Sequence, residues 1–291
     1  PLAQGIAEFW ASKVVKQADG LYHILKVMGP DEYHQLTDDN AYTNSAAAIA
    51  LEFATAAAGA LGLTTPAEWG EIARDMFIPY NETMDFHPEY MSYYDKEIPT
   101  GPYAVPEVVK QADTILMGFP LGVNMSSSTR LNDLDVYSRT TTVSGPAMTW
   151  AMFAVGYLDT GDEATAHAFF TRGYANALNG AFGVWQETPH GGAVNFLTGA
   201  GGFLQSVIFG YGGLRLSNDA LLLNPPQPPG NATSVGLHGV DYLGVPLAIT
   251  TTKDEVTVEI LQPKPWPKLE MRPLVHGGSA RQLEAGVPIS L

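Results

Sequence analysis

Apolar Leu2, Ile6, Phe9, Trp10, Val14 and Val15 recur at helical spacing, which predicts an amphipathic helix from Leu2 to Ala18 with Gly20 as its stop. Tyr22 to Val27 reads as a short extended segment, after which Gly29-Pro30 turns the chain. Asn40 or Thr43 is placed to cap an Ala-rich helix running to about Gly62. Thr65-Pro66-Ala67-Glu68 carries a capping box, with proline at the first position of the next helix. Ile78 to Tyr103, dense in Pro, Tyr, Asp and Glu and without a sustained period, predicts a long surface loop. Pro106 opens a helix from Glu107 to about Met117, and Asn124 to Thr142 reads as a second loop. Gly145-Pro146 starts a helix reaching about Leu158, and Asp162 caps another to about Leu178. The Gly- and Pro-bounded loop Gly183 to Gly192 leads to a last helix, Val194 to about Phe209. Beyond Pro225, Pro226, Pro228 and Pro229 the texture changes to short alternating strands such as Val245 to Thr252 and Glu255 to Leu261.

Long helix and polar loop thus alternate about seven times before the β-rich tail. This predicts a mainly α fold, with helical hairpins over residues 1–212 and a small β-rich domain over 213–291. Helical hairpins with function in their connections suit an α-helical toroid. Seven helices are too few to close such a ring, and their broad apolar faces would leave a large hydrophobic surface open to water. The other half is therefore expected from a separate chain or a preceding segment. The start at Pro1, with no initiator Met and no charged-then-apolar leader, agrees with a chain cut from something longer.

Composition narrows the partners. The chain has 291 residues, 45% hydrophobic and 15% charged, with a formal charge of −15 that repels phosphate backbones and anionic lipid. Neither nucleic acid nor a membrane is expected as a partner. There is no cysteine, so thiolate metal sites and disulfides are excluded, and the seven histidines lack an i, i+4 pair, so no metal or other cofactor is expected. The sequons at Asn81, Asn124 and Asn231 favour the secretory route and predict glycosylation there.

The candidate chemistry lies in Gly29-Pro30-Asp31-Glu32-Tyr33-His34 and in Trp185-Gln186-Glu187-Thr188. Two carboxylates on loops of a helical cup, without a phosphate cradle or metal cluster, fit glycoside hydrolysis. That reaction needs one acid to protonate the leaving oxygen and a second carboxylate to activate water or attack. Glu32 and Glu187 form the natural pair, with Asp31 as a like charge beside Glu32 that helps it keep a proton and Trp185 as a sugar-binding wall. Gly199, Gly201 and Gly202 read as close helix packing. By residues alone the reading stops at a helical-hairpin protein with a hydrolase's pair of carboxylates. The same groups also read as solvated turn and surface residues.

The block Gly29 to His34, with the trailing Asp39-Asn40-Ala41-Tyr42-Thr43-Asn44, resembles the signature of glycoside hydrolase family 65. Further similar blocks follow in order at Val109 to Asp113, Gly145 to Trp150 and Gly192 to Gly199, so the resemblance covers roughly Leu2 to Leu223. It implies the second half of an (α/α)6 barrel followed by a small β-domain, with Glu32 as general acid. Lys110 and Gln111, with Asp31, become the substrate-binding residues. An N-terminal fragment of the same precursor would complete the barrel. Around Glu187 the chain is similar to the family's hydrolytic branch, the acid trehalases and glucosylgalactosyl-hydroxylysine glucosidases. Glu187 is then the general base of an inverting reaction. Sequons and acidity tilt the expectation to trehalose and to a secreted, cell-wall or vacuolar enzyme. Kojibiose or glucosylgalactosyl-hydroxylysine as substrate, a phosphorylase, and a non-catalytic carbohydrate-binding protein stand as alternatives.

Overall fold

The computed structural model describes residues 1–93, 108–179, 182–217, 220–223 and 228–261, with short strands at 270–273, 281–282 and 289–290. It contains two compact units, Pro1–Pro146 and Ala147–Leu291.

In the first unit, α1 spans Leu2–Lys13 and is shorter than its apolar spacing implies. Val14 and Val15 leave it for strand β1 (Val14–Lys16), which pairs antiparallel with β2 (Tyr22–Ile24). Branching at Cβ makes valine better placed on a strand than in a last helical turn. The following helix, α2 (Ala41–Ala60), starts where Asn40 caps it, its Oδ1 accepting from Thr43 N at 2.8 Å. Alanine side chains let its neighbours approach, and Ala47, Leu51 and Ala54 meet Ala7 of α1 and Trp69 and Ile72 of α3 (Ala67–Arg74) in one core. The capping box at Thr65 does not form, because Pro66 takes the cap position and no side chain caps α3.

Two expectations in this unit are corrected. From residue 108 the chain is irregular, with bends at Lys110 and Gln111 instead of a helix, and only Thr114–Met117 winds into a 3-10 turn. Gln111 and Asp113 are drawn into the interior by hydrogen bonds to the Gly29–Asp31 loop, which a regular helix would break. Pro106 and Glu107 lie outside the described residues, as does the loop beyond residue 93. Conversely, the expected loop at 124–142 contains helix α4 (Ser127–Thr140), capped by Ser126. Its buried face includes Thr129, Arg130, Asp133 and Thr140, so no apolar stripe announces it. Asp133 receives the backbone N–H and Nδ1 of His87, and Tyr137 donates to the His87 carbonyl, which fastens the irregular segment after α3 to α4.

In the second unit, α5 (Met148–Thr160) is buried over nearly its whole length, and α6 (Glu163–Ala175) is capped by Asp162 as expected. Residues 186–194 form a hairpin of β3 (Gln186–Thr188) and β4 (Gly191–Val194). The last helix, α7 (Leu197–Gln205), therefore starts later than Val194, after Asn195 at a φ of +55° breaks the path, and widens into a π-helical turn over Ser206–Tyr211. Gly202 packs against α5, where an added Cβ would lie 3.2 Å from the Ala151 methyl, so close helix packing is its role. The tail is β-rich, with β5 (Leu214–Leu216), β6 (Leu221–Leu223), β7 (Ser234–Tyr242), β8 (Val245–Thr252), β9 (Val256–Ile260), β10 (Glu270–Pro273), β11 (Arg281–Gln282) and β12 (Ile289–Ser290). They form two four-stranded sheets in the orders β11-β10-β6-β5 and β12-β9-β8-β7, around a core that includes Leu214, Leu223, Leu247 and Ile249. The protein is thus mainly helical with small sheets at its C-terminal end. Among the described residues no helix is long and apolar enough to cross a membrane.

Candidate active site

The turn at Gly29 is built to be gripped. A Cβ on Gly29 would sit 2.3 Å from Asn40 Nδ2 and 2.5 Å from Asp113 Oδ2, so only glycine allows the approach. Asn40, besides capping α2, donates to Asp113 Oδ1 at 3.1 Å. The Asp31 N–H donates to Asp113 Oδ2 at 2.9 Å, the Lys110 N–H to Asp31 Oδ1 at 2.7 Å, and Gln111 Nε2 to the Pro30 carbonyl at 2.6 Å. Asp31 is fully buried by these bonds. Glu32, its neighbour, has a side chain 51% exposed and is left at the surface with a fixed backbone beneath it.

His34 completes the grip. Its Nδ1 lies 2.8 Å from Asp31 Oδ2 and 3.1 Å from Glu89 Oε2, so one ring nitrogen serves two buried carboxylates. Burial pulls the imidazolium down, yet hydrogen bonds and charge from Asp31 and Glu89 outweigh it and hold its pKa up at about 10. Asp113 is pushed well above the ordinary carboxylate range by burial and by the charge of Glu89, against the hydrogen bonds it accepts. The loop therefore rests on a buried cluster in which His34 lies between Asp31 and Glu89 and Asp113 holds the backbone of Asp31. Asp31, His34 and Glu89 each offer an atom within 4.8 Å of the others, the donor set a cation would need, but the imidazole nitrogen already lies against both carboxylates there.

Lys110, not Asp31, is the charged group against Glu32, its Nζ pairing with Glu32 Oε2. The structure thus brings Asp31, Glu32, Lys110 and Gln111 together in the first unit. Asp31 and Gln111 bond the loop itself, while Lys110 reaches the surface. His34, Glu89 and Asp113 carry roles that the sequence reading did not assign. His34 and Glu89 are 55 residues apart and meet only through the fold.

Glu187 belongs to the second unit, on the β3–β4 hairpin. Its Oε2 accepts from Ala193 N at 3.0 Å, and its carbonyl accepts from Ala147 N at 2.7 Å. Gly192, at a φ of +84°, leaves room for the carboxylate, since a Cβ there would lie 2.7 Å from Glu187 Oε2. The half-buried carboxylate is therefore oriented by backbone alone. Trp185 is half-buried, its Nε1 donating to the Gly173 carbonyl at 3.1 Å and its ring packing on Phe203, so it buttresses the hairpin. Of the sequons, Asn124 and Asn231 are exposed, while Asn81 is half-buried and spends its Oδ1 on Met84 N.

The first unit thus holds Glu32 beside Lys110 on a fixed turn, and the second holds Glu187 on a hairpin, each a carboxylate of the kind that acid–base chemistry uses. Residues 2–101 match the glycosyl hydrolase family 65 central catalytic domain, and the chain belongs to that family. The protein-glucosylgalactosylhydroxylysine glucosidase of Gallus gallus is 38% identical over 99% of the chain and 40% of its own length. The kojibiose hydrolase of Flavobacterium johnsoniae is 37% identical over 74% of the chain and 30% of its length. The periplasmic acid trehalase ATC1 of Saccharomyces cerevisiae is 29% identical over 86% of the chain and 22% of its length. A solved structure from the human microbiome, named as a candidate kojibiose phosphorylase, shares the fold with a TM-score of 0.74 at 18% identity, covering 99% of the chain and 46% of its own. The chain thus spans about two fifths of the length of the glucosidase it matches from end to end.

Proposed function

We propose that this chain carries both catalytic carboxylates of a glucosidase that removes the terminal glucose of glucosylgalactosyl-hydroxylysine. The observation that supports it is the end-to-end likeness to the glucosidase of that name. Glu32 gives its proton to the glycosidic oxygen as the bond to the anomeric carbon breaks. Glu187 takes a proton from water, whose oxygen bonds to that carbon from the opposite face, and β-glucose leaves. Lys110 holds the sugar being released by exchanging its contact with Glu32 for sugar hydroxyls, and Gln111 acts on it through the turn that it fixes beneath Glu32. Sequons and acidity favour trehalose, but the relatives that match at higher identity are named for other glucosides, so trehalose gives way. Kojibiose is the second reading, on the likeness to the kojibiose hydrolase.

The helices would form part of an (α/α)6 ring completed by an N-terminal fragment of the same precursor. The exposed stripe Leu2, Ile6 and Phe9 on α1 supports this, as does a cavity of about 570 Å³ between α1 and α2 lined by Ala3, Ala11, Ala54, Ala57 and Leu61. Secretion, to the cell wall or vacuole, belongs to the same reading and is supported by the exposure of Asn124 and Asn231. The test is a substrate panel on the complete enzyme. Glucosylgalactosyl-hydroxylysine should be turned over without phosphate in preference to kojibiose and trehalose. Glu32→Gln and Glu187→Gln should each lower kcat by at least about 100-fold. Strict dependence on phosphate, or full activity in either variant, would reject the mechanism.

A further inference from the structure

Helix α6 and the end of the π-helical turn present His167 and Tyr211 to a cavity of about 400 Å³, lined also by Glu163, Pro228, Pro229 and Lys253. Tyr211 is only 2% exposed, and neither its hydroxyl nor Nδ1 of His167 has a hydrogen-bond partner among the described residues. Buried polar atoms are seldom left so, because an unmade bond costs more than a made one returns. Gly230 allows the proline segment to close over the imidazole. A Cβ there would stand 3.1 Å from Cε1 and Nε2 of His167, and its φ of +56° is itself unfavourable to a side chain.

The two orphans ask for complementary partners. The Tyr211 phenol, pushed up to about 12 by burial and by the charges of Glu163 and Tyr174, stays protonated and donates. The imidazole, with its proton on Nε2, accepts at Nδ1. A single hydroxyl lodged between them would satisfy both, accepting from the phenol and donating to the ring. Pro228 and Pro229 offer C–H surface to the face of a pyranose, while Glu163 and Lys253 line the same cavity with an acceptor and a donor for further hydroxyls. The volume falls in the range of small-molecule sites, roughly 300–1,000 Å³. We infer that this cavity is a second carbohydrate site, taking a hexopyranose with one hydroxyl between His167 and Tyr211. It does not depend on the roles given to Glu32 and Glu187.

The test is a glucose titration of the complete protein followed by the imidazole nitrogen resonances, with His167 assigned by their loss in His167→Gln. The His167 signal should shift and saturate with glucose and should not respond to tetrahydropyran, which has the ring without the hydroxyls. Tyr211→Phe should weaken that response at least about tenfold, the worth of one buried hydrogen bond. Gly230→Ala should remove it, with circular dichroism unchanged in both variants. Three results would each overturn the site. These are no shift with glucose, an undiminished response in Tyr211→Phe, or a crystal soaked in glucose that holds only a bridging water between the two side chains.

Discussion

Replacing His34 by asparagine keeps a polar side chain but removes the cation that lies between Asp31 and Glu89. The imidazolium's pKa rises from 6.5 to about 10 in the folded protein, a shift worth about 5 kcal/mol if taken whole. The side chain is 16% exposed, so solvent screens part of it, and about 2–3 kcal/mol is the working figure. Because the folded value lies above the unfolded one, this stabilisation is complete below the unfolded pKa of 6.5 and is lost as pH rises through about 10. Urea unfolding of wild type and His34→Asn, extrapolated to water at a series of pH values, measures it. The difference between the two proteins should be about 2–3 kcal/mol near pH 6 and shrink progressively as the pH rises from about 6.5 towards 10. A difference independent of pH would mean that His34 acts by shape and not by charge, and the ion pairing beneath Glu32 would be wrong.

Gly29→Ala should destabilise by about 1–3 kcal/mol, read in thermal unfolding, because its methyl would overlap Asn40 and Asp113. Asn40→Ala should cost about 2 kcal/mol, since it removes the cap of α2 and a hydrogen bond to Asp113 together; Asn40→Asp should restore the cap but place a second acid against Asp113. Gly192→Ala should lower kcat with little change in KM, because the crowding falls on the Glu187 carboxylate; an equal rise in KM would argue for a general collapse of the hairpin. Trp185→Phe should reduce stability by about 1–3 kcal/mol by stranding the Gly173 carbonyl, with substrate binding unchanged, as befits a buttress.

What could be read from the sequence was set by local chemistry. Asn40 and Asp162 cap their helices because a short polar side chain before a helix has few better uses, and the β texture after the prolines persists as β7 to β9. The errors fall where tertiary bonds override local pattern. Gln111 and Asp113 look like the wet face of a helix, yet they are buried in an irregular segment because the Gly29–Asp31 loop needs their hydrogen bonds. Helix α4 hides because it buries Arg130 and Asp133, residues that usually mark an outer face. Glu32 and Glu187 could be picked out by residue type and resemblance. Their supports could not, since His34, Glu89 and Asp113 gain meaning only when distant segments meet.

Lys110 holds Asp31 through its backbone and Glu32 through its side chain, across 79 and 78 residues of chain. The signature from Gly29 to Asn44 is therefore not a portable module. A peptide or graft carrying it would keep the α2 cap, which is local, but the acid would swing free until a segment made much later in synthesis came to rest on it. Orientation of Glu32 should thus be among the last features to mature in folding, and a split of the chain between residues 60 and 108 would separate its carboxylate from its restraint without touching either.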